Sequence, residues 1–278
     1  MMPPTELFAP TATDRPDRFT WVPSPLLYIP AGTLQGGAAL GVAAAAMEHV
    51  TGRPLVWATG QYLSFAARGG EITFDVTVEV AGYNTTQARC IVAKDGNEIL
   101  TVHGAFGSRE MQVGGVWALM PDVPQPENCP EYDFFPRGNG DLADLTDVRL
   151  ARGRQFADLD GTRTDGNFVL WLRVGEGVHD TSVAELTFIG DFMPLGFANV
   201  LGQPYTGRSV DNTVRACTLA PTEWVMLSVH VNQIVHGHGH GHANLWAQDG
   251  TLLGQVSQTA GMHLRRHVLE RGTPRNAI

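Results

Sequence analysis

The chain has 278 residues, 43% of them hydrophobic, enough to bury a sizeable core in one large domain or two ordinary ones. Its formal net charge of -9 comes without any basic run, which excludes the electrostatic footprint of a protein that binds nucleic acid or an anionic membrane. The most apolar stretch, "AALGVAAAAM", is too short to span a bilayer, and Cys90, Cys129 and Cys217 are too few and too scattered for a disulfide framework.

The opening "MMPPTELFAPTATDRPDRF" is polar and proline-rich, without an apolar export segment, and residues 1–16 read as a tail of a cytoplasmic protein. A first domain is expected over 17–112. It contains "LQGGAALGVAAAAMEHV" from Leu34 to Val50, apolar on almost every face, as in a helix enclosed on all sides. Its wrapper begins at "EITFDVTVEV". There Ile72, Phe74, Val76, Val78 and Val80 alternate with polar residues and are expected on the core face of an antiparallel strand. "TTQARCIVAK", the turn signal Asp95-Gly96 and "NEILTVHGAFG" continue the meander.

Residues 113–146, with "PDVPQPENCPEYDFFPRGNG", read as a linker, and 147–278 as a second domain. In it "NFVLWLRV" is a strand, "FIGDFMPLGFANVLG" a short helix entered at Asp191, and "EWVMLSVHV" another alternating strand. The two halves overlay. Leu40-Gly41 matches Leu195-Gly196 at an offset of 155, Glu71 matches Glu223 at 152, and Asp95-Gly96 matches Asp249-Gly250 at 154, which points to duplication.

Between the last two anchors lies "VHGHGHGHA", which the overlay assigns to a bend between two strands. Histidines at alternate positions share a face, so adventitious zinc, nickel or copper binding is physically reasonable. A catalytic metal needs further ligands converging from elsewhere and an open coordination position, so no functional metal is expected here.

The chain resembles the acyl-CoA thioesterase II family. The resemblance covers about residues 17–112 and 147–266 and is carried by "RFTWVPSPLLYIPAGTLQGGAALG", by Gly82-Tyr83-Asn84-Thr85 followed by Ala88-Arg89, and by "IGDFMPLG", "SVDNT" and "VSQTAG". It implies an α+β fold, a tandem (double) hot-dog in which each half is a buried helix wrapped by an antiparallel sheet. It also implies an acyl-CoA substrate, no cofactor, and a water held for attack on the thioester by Asp191, Ser209 and Gln258. Asn212 stands where the family usually has histidine, and Thr259-Ala260 separate Gln258 from the glycine that usually follows Glu.

Thioester hydrolysis needs a nucleophilic water, an acceptor for its proton and donors for the oxyanion. At the start of a helix, Asp191 is expected to have a depressed pKa and to be a weak base, with positioning supplying much of the acceleration. Each residue also has an ordinary structural role open to it: Asp191 as an N-cap, Ser209 in a turn, Gln258 on a wet strand face. At matching offsets the first half has Gly36, Leu55 and Gly104, so the polar set occurs once. Gly36-Gly37 suit close approach of a ligand carbonyl to the first helix.

Two alternatives stay open. "FIGDFMPLG" is similar to the motif of R-specific enoyl-CoA hydratases, but Met193 and Gly196 replace its Asn and His; a non-catalytic acyl- or metal-binding module is the other. Arg208, Arg215, Arg265 and Arg266 flank the site segments and could meet CoA phosphates, yet are equally ordinary surface residues. They are left out of the candidate site. Open sheet edges predict a homo-oligomer.

Overall fold

The computed structural model describes residues 4–264. The first half contains β1 (Thr11–Ala12), β2 (Arg18–Trp21), helix α1 (Gly36–Thr51), β3 (Leu55–Tyr62), β4 (Ile72–Ala81), β5 (Thr85–Lys94) and β6 (Asn97–Gly107). The second contains β7 (Thr146–Arg152), β8 (Asn167–Val174), helices α2 (Val183–Gly190) and α3 (Pro194–Leu201), β9 (Tyr205–Ala216), β10 (Val225–Val235), β11 (His238–Ala247) and β12 (Leu252–Leu264).

The expected enclosed helix is α1. Its small residues let strands close around it, with Ala38, Leu40, Val42, Ala43, Ala44 and Met47 wholly out of solvent. The side chain of Gln35 caps its start by accepting from the Ala38 amide, and Gly52 in the left-handed region ends it.

All the strands named above join one antiparallel sheet in the order β1-β2-β4-β5-β6-β3-β9-β12-β11-β10-β8-β7. Apart from the edge strands the order is palindromic about the β3–β9 junction, where the hydroxyls of Thr59 and Thr213 meet at 2.8 Å across a sequence separation of 154. The ladders repeat the same spacing. Leu55 pairs with Phe106 as Ser209 pairs with Ala260, and Ala58 pairs with Gly104 as Asn212 pairs with Gln258. Even the bulges are duplicated, one at Val56 and one at Val210. This register puts Gly37, rather than Gly36, opposite Asp191.

Three sequence expectations are corrected. First, Asp191 does not open a helix: α2, capped at its start by Ser182, ends at Gly190, and the Asp191 amide closes it by bonding to the Thr187 and Phe188 carbonyls. The next helix starts at Pro194, whose missing N–H suits a first helical position. Asp191 therefore lies in the turn between two short helices. Second, Val78 and Val80 are exposed, because the alternation fails at the end of β4 where a bulge breaks the register between them.

Third, the histidine segment is mostly strand. Only His236-Gly237, both at positive φ, form the turn, while His238, His240 and His242 point outward from β11. Gly239 and Gly241 face inward. A side chain at Gly239 would begin 2.7 Å from the Met262 sulfur and 3.1 Å from the Phe197 ring, so glycine lets α3 pack close to the strand. The alternation of His and Gly is thus that of a strand with one wet and one crowded face.

The two halves meet through α1 and α2, whose close contact requires Gly41: an added Cβ would sit 2.6 Å from the Ala184 carbonyl oxygen. Part of the proline-rich segment between the halves covers the outer sheet face. Trp171 Nε1 donates to the Pro124 carbonyl at 3.0 Å, and Cys129 packs with Trp224, Met226 and Trp246. Arg265 and Arg266 lie outside the described residues.

Candidate active site

The pseudo-twofold axis at the β3–β9 junction, the dyad that relates the two halves, brings Asp191 against the start of the other half's helix. Its Oδ2 accepts from the Gly37 amide at 2.8 Å, and its Oδ1 accepts from Gln258 Nε2 at 2.7 Å and from Asn212 Nδ2 at 3.4 Å. Gln258 Nε2 also donates to Ser209 Oγ at 2.5 Å. The three residues singled out in the sequence are therefore in one hydrogen-bonded cluster, although they come from a turn, β9 and β12.

Strand geometry accounts for the convergence. Asn212 and Gln258 are cross-strand partners on the inward face, both buried, and Ser209 sits beside the β9 bulge, which re-aims it toward the same point. Gln258 is neither exposed nor idle.

A cavity of about 670 Å³ is lined by Asp191 and Ser209 among others. Its walls come from both halves and the segment between them, including Leu34, Phe65 and Leu100 on one side and Phe135, Phe192 and Leu195 on the other. Gly36 lines it, whereas Gly37 is spent on Asp191. Arg208 also lines it; Arg215 is exposed on the same strand.

The electrostatics reverse the expected direction. Desolvation in the cavity wall pushes the Asp191 carboxyl up to about 6, outweighing the hydrogen bonds from Gly37, Gln258 and Asn212, which pull it down. A helix start does face Asp191, but it belongs to α1, contributed from across the dyad. The resulting carboxylate is a stronger base than an exposed one and is still largely ionised at neutral pH.

Two site residues were not singled out in the sequence. Asn212 was noted only as a departure from a family pattern, and Tyr62, which lines the cavity, not at all. Overlaying whole strands at the register spacing could have found both, since their counterparts are Ala58 and Ala216. Among the described residues no group of three or more His, Cys, Asp or Glu side chains is arranged to hold a metal.

Residues 126–262 match the acyl-CoA thioesterase C-terminal domain. Among solved structures, a provisionally named thioesterase from Novosphingobium aromaticivorans is 29% identical with a TM-score of 0.79, over 91% of this chain and 97% of that one. A hot-dog protein of unknown function from Alicyclobacillus acidocaldarius is 20% identical with a TM-score of 0.78, over 94% and 98%. The acyl-CoA thioesterase II of Mycobacterium marinum is 16% identical with a TM-score of 0.73, over 94% and 97%. A search of curated proteins gives no match. Residues 126–262 thus carry the pattern of an acyl-CoA thioesterase C-terminal domain, and the chain has the double hot-dog fold of these structures.

Proposed function

We propose that this chain hydrolyses acyl-CoA thioesters to free acid and CoA with a water held by Asp191, Ser209 and Gln258. The observation that carries the reading is the Gln258 amide bridging Asp191 and Ser209, two residues that line a largely apolar cavity. Gln258 presents Nε2 to Asp191 because an ionised carboxylate can only accept. Asp191 accepts twice at Oδ1 and once at Oδ2, which leaves an Oδ2 site for a water proton, and Ser209, already accepting from Gln258, fixes the water on a second side.

The water oxygen bonds to the thioester carbon as its proton passes to Asp191. The carbonyl oxygen becomes an oxyanion, the C–S bond then breaks, and the departing CoA sulfur takes up the proton. Positioning and fixed donors, including the positive end of α1, supply the acceleration; no covalent intermediate is involved. The acyl chain occupies the cavity, and Arg208 meets CoA phosphate at its rim.

Against the hydratase alternative, no histidine among the described residues lines the cavity, and Gly196 packs into the core, where an added Cβ would lie 2.9 Å from Val229. Water addition to an enoyl group then lacks its second acid/base partner. A cytoplasmic homo-oligomer assembled through outer sheet edges belongs to the same proposal, and sedimentation of the purified chain tests its assembly.

The functional test uses short-, medium- and long-chain acyl-CoAs with a thiol reagent. Thiol release supports the reading; a change in enoyl absorbance without thiol release, or acyl-CoA binding with neither, would replace it.

A further inference from the structure

We infer that Tyr62, from the half lacking the Asp191 cluster, donates its hydroxyl hydrogen to the thioester oxygen as it becomes an oxyanion. This goes beyond the three residues that hold the water and rests on the thioesterase reading above.

The placement follows from the ladder between the halves. Gly60 is the cross-strand partner of Asn212, so Tyr62, two residues further along β3, faces the same way and lies diagonal to it. Its ring covers the start of α1: a Cβ built on Gly36 would lie 2.9 Å from the ring and its hydroxyl oxygen. Tyr62 thus stands over the helix start that binds Asp191 and lines the same cavity.

The hydroxyl is out of solvent and makes no hydrogen bond of good geometry; the Asn212 side chain, whose Oδ1 is likewise unpaired, lies near enough to pull its pKa down against the effect of burial. A donor without a settled partner, on a ring that lines the cavity, can turn from Asn212 to a thioester oxygen that enters there. Burial and the nearby Asp191 charge hold its pKa well above that of an ordinary tyrosine, so it keeps its hydrogen throughout the working range. Its counterpart in the second half is Ala216. The reaction centre is therefore composite. One copy supplies the acid and its amides, the other supplies the donor and the helix start, and neither half contains both.

The chemistry is a hydrogen bond strengthening with charge, with no proton transfer from Tyr62. As water attacks, negative charge grows on the carbonyl oxygen and Tyr62 stabilises it; an oxygen lone pair then re-forms the C=O bond as the C–S bond breaks, and the charge leaves on the CoA sulfur, which takes the proton from Asp191.

Tyr62→Phe removes the hydroxyl alone and leaves the ring over Gly36. Expected is a fall in kcat of about a hundredfold or more with little change in KM, the size seen for loss of one oxyanion donor. The melting temperature should be unchanged or higher, and the acid limb of the pH profile should stay where it is. A trifluoromethyl ketone analogue of the acyl-CoA, which presents a tetrahedral oxyanion, should lose affinity for the variant by a similar factor. Turnover within about twofold of the parent overturns the proposal, since one donor should be worth far more. So does a loss of kcat accompanied by a shifted acid limb, which would mark Tyr62 as positioning Asn212 and Asp191, or by a large drop in melting temperature. If Asp191→Asn is inert while Tyr62→Phe is normal, only the Tyr62 assignment fails; if the parent releases no thiol or Asp191→Asn keeps full turnover, the thioesterase reading fails and takes Tyr62 with it.

Discussion

The Asp191 carboxylate accepts a 2.8 Å hydrogen bond from the amide of Gly37, the residue 154 positions earlier that occupies the same place in the first copy of the fold. Duplication has left two unlike residues at one position, and they meet at the dyad. A Cβ on Gly37 would begin 2.5 Å from the Thr187 carbonyl oxygen and 2.6 Å from Asp191 Cβ, so there is no room for any side chain. Gly37→Ala should therefore push α1 off Asp191, lowering kcat/KM by about a hundredfold, the scale of a 1 Å misplacement, together with the melting temperature. Steady-state kinetics and thermal melts check both.

Burial pushes the Asp191 carboxyl up to about 6; with its ionised form as the proposed base, activity should rise with pH through a midpoint near 6 and level off above 7. Stability moves the other way. Below about pH 4 the folded and unfolded chains both carry the proton on this group; between about 4 and 6 only the folded chain does, so raising pH across that window favours unfolding by roughly 2–3 kcal/mol for this group. Asp191→Asn should escape that loss. Gln258 and Asn212 each have a buried amide oxygen without a partner that can turn toward the new Nδ2. The variant should be inactive yet, relative to the parent, gain stability as pH rises from 4 to 6, as denaturant melts at both pH values would record.

Asn212 donates to Asp191 from 3.4 Å, so Asn212→Asp places a second carboxylate beside the first. Like charges at that separation cannot both ionise readily, and the acid limb of the activity profile should move above 6. Asn212→Ala, by contrast, should lower kcat without the second charge. Comparing pH–rate profiles of the two variants separates charge from lost positioning.

The histidines of β11 face solvent away from the cavity. Replacing His236, His238, His240 and His242 together with serine should leave hydrolysis within about twofold, and a chelator should leave the parent unchanged. Gly239→Ala should instead cost about 1–3 kcal/mol of stability, because its Cβ would meet Met262 and Phe197. Activity restored by one metal after chelation would contradict this account of the segment.

The enclosed helix, the long strands and the duplication could all be read from the sequence, because each is a local pattern: small apolar residues without a polar face, alternation, and turn pairs at a nearly fixed spacing. Asp191, Ser209 and Gln258 were reached through a resemblance, and the structure brings them within hydrogen-bond reach. What failed was contact information. "FIGDFMPLG" reads as a helix entered at Asp191, because Asp is a favoured cap and Pro194 suits a helix start, and nothing local shows that a buried helix ends at Gly190 just before it. The amide facing Asp191 comes from 154 residues away, and the pKa follows from burial that no short motif encodes. The histidine run, expected as a bend, is mostly strand for the converse reason: its alternation is that of a strand whose Gly239 faces Met262 and Phe197 and whose Gly241 faces the His230 and Val231 backbone.

The most direct test of the central claim is thiol release from medium-chain acyl-CoA by the parent chain and by Asp191→Asn under identical conditions at pH 7.5. The account predicts turnover by the parent and a loss of at least about a thousandfold in a variant that binds substrate and melts no lower. A folded Asp191→Asn chain hydrolysing at a rate near the parent's would contradict it.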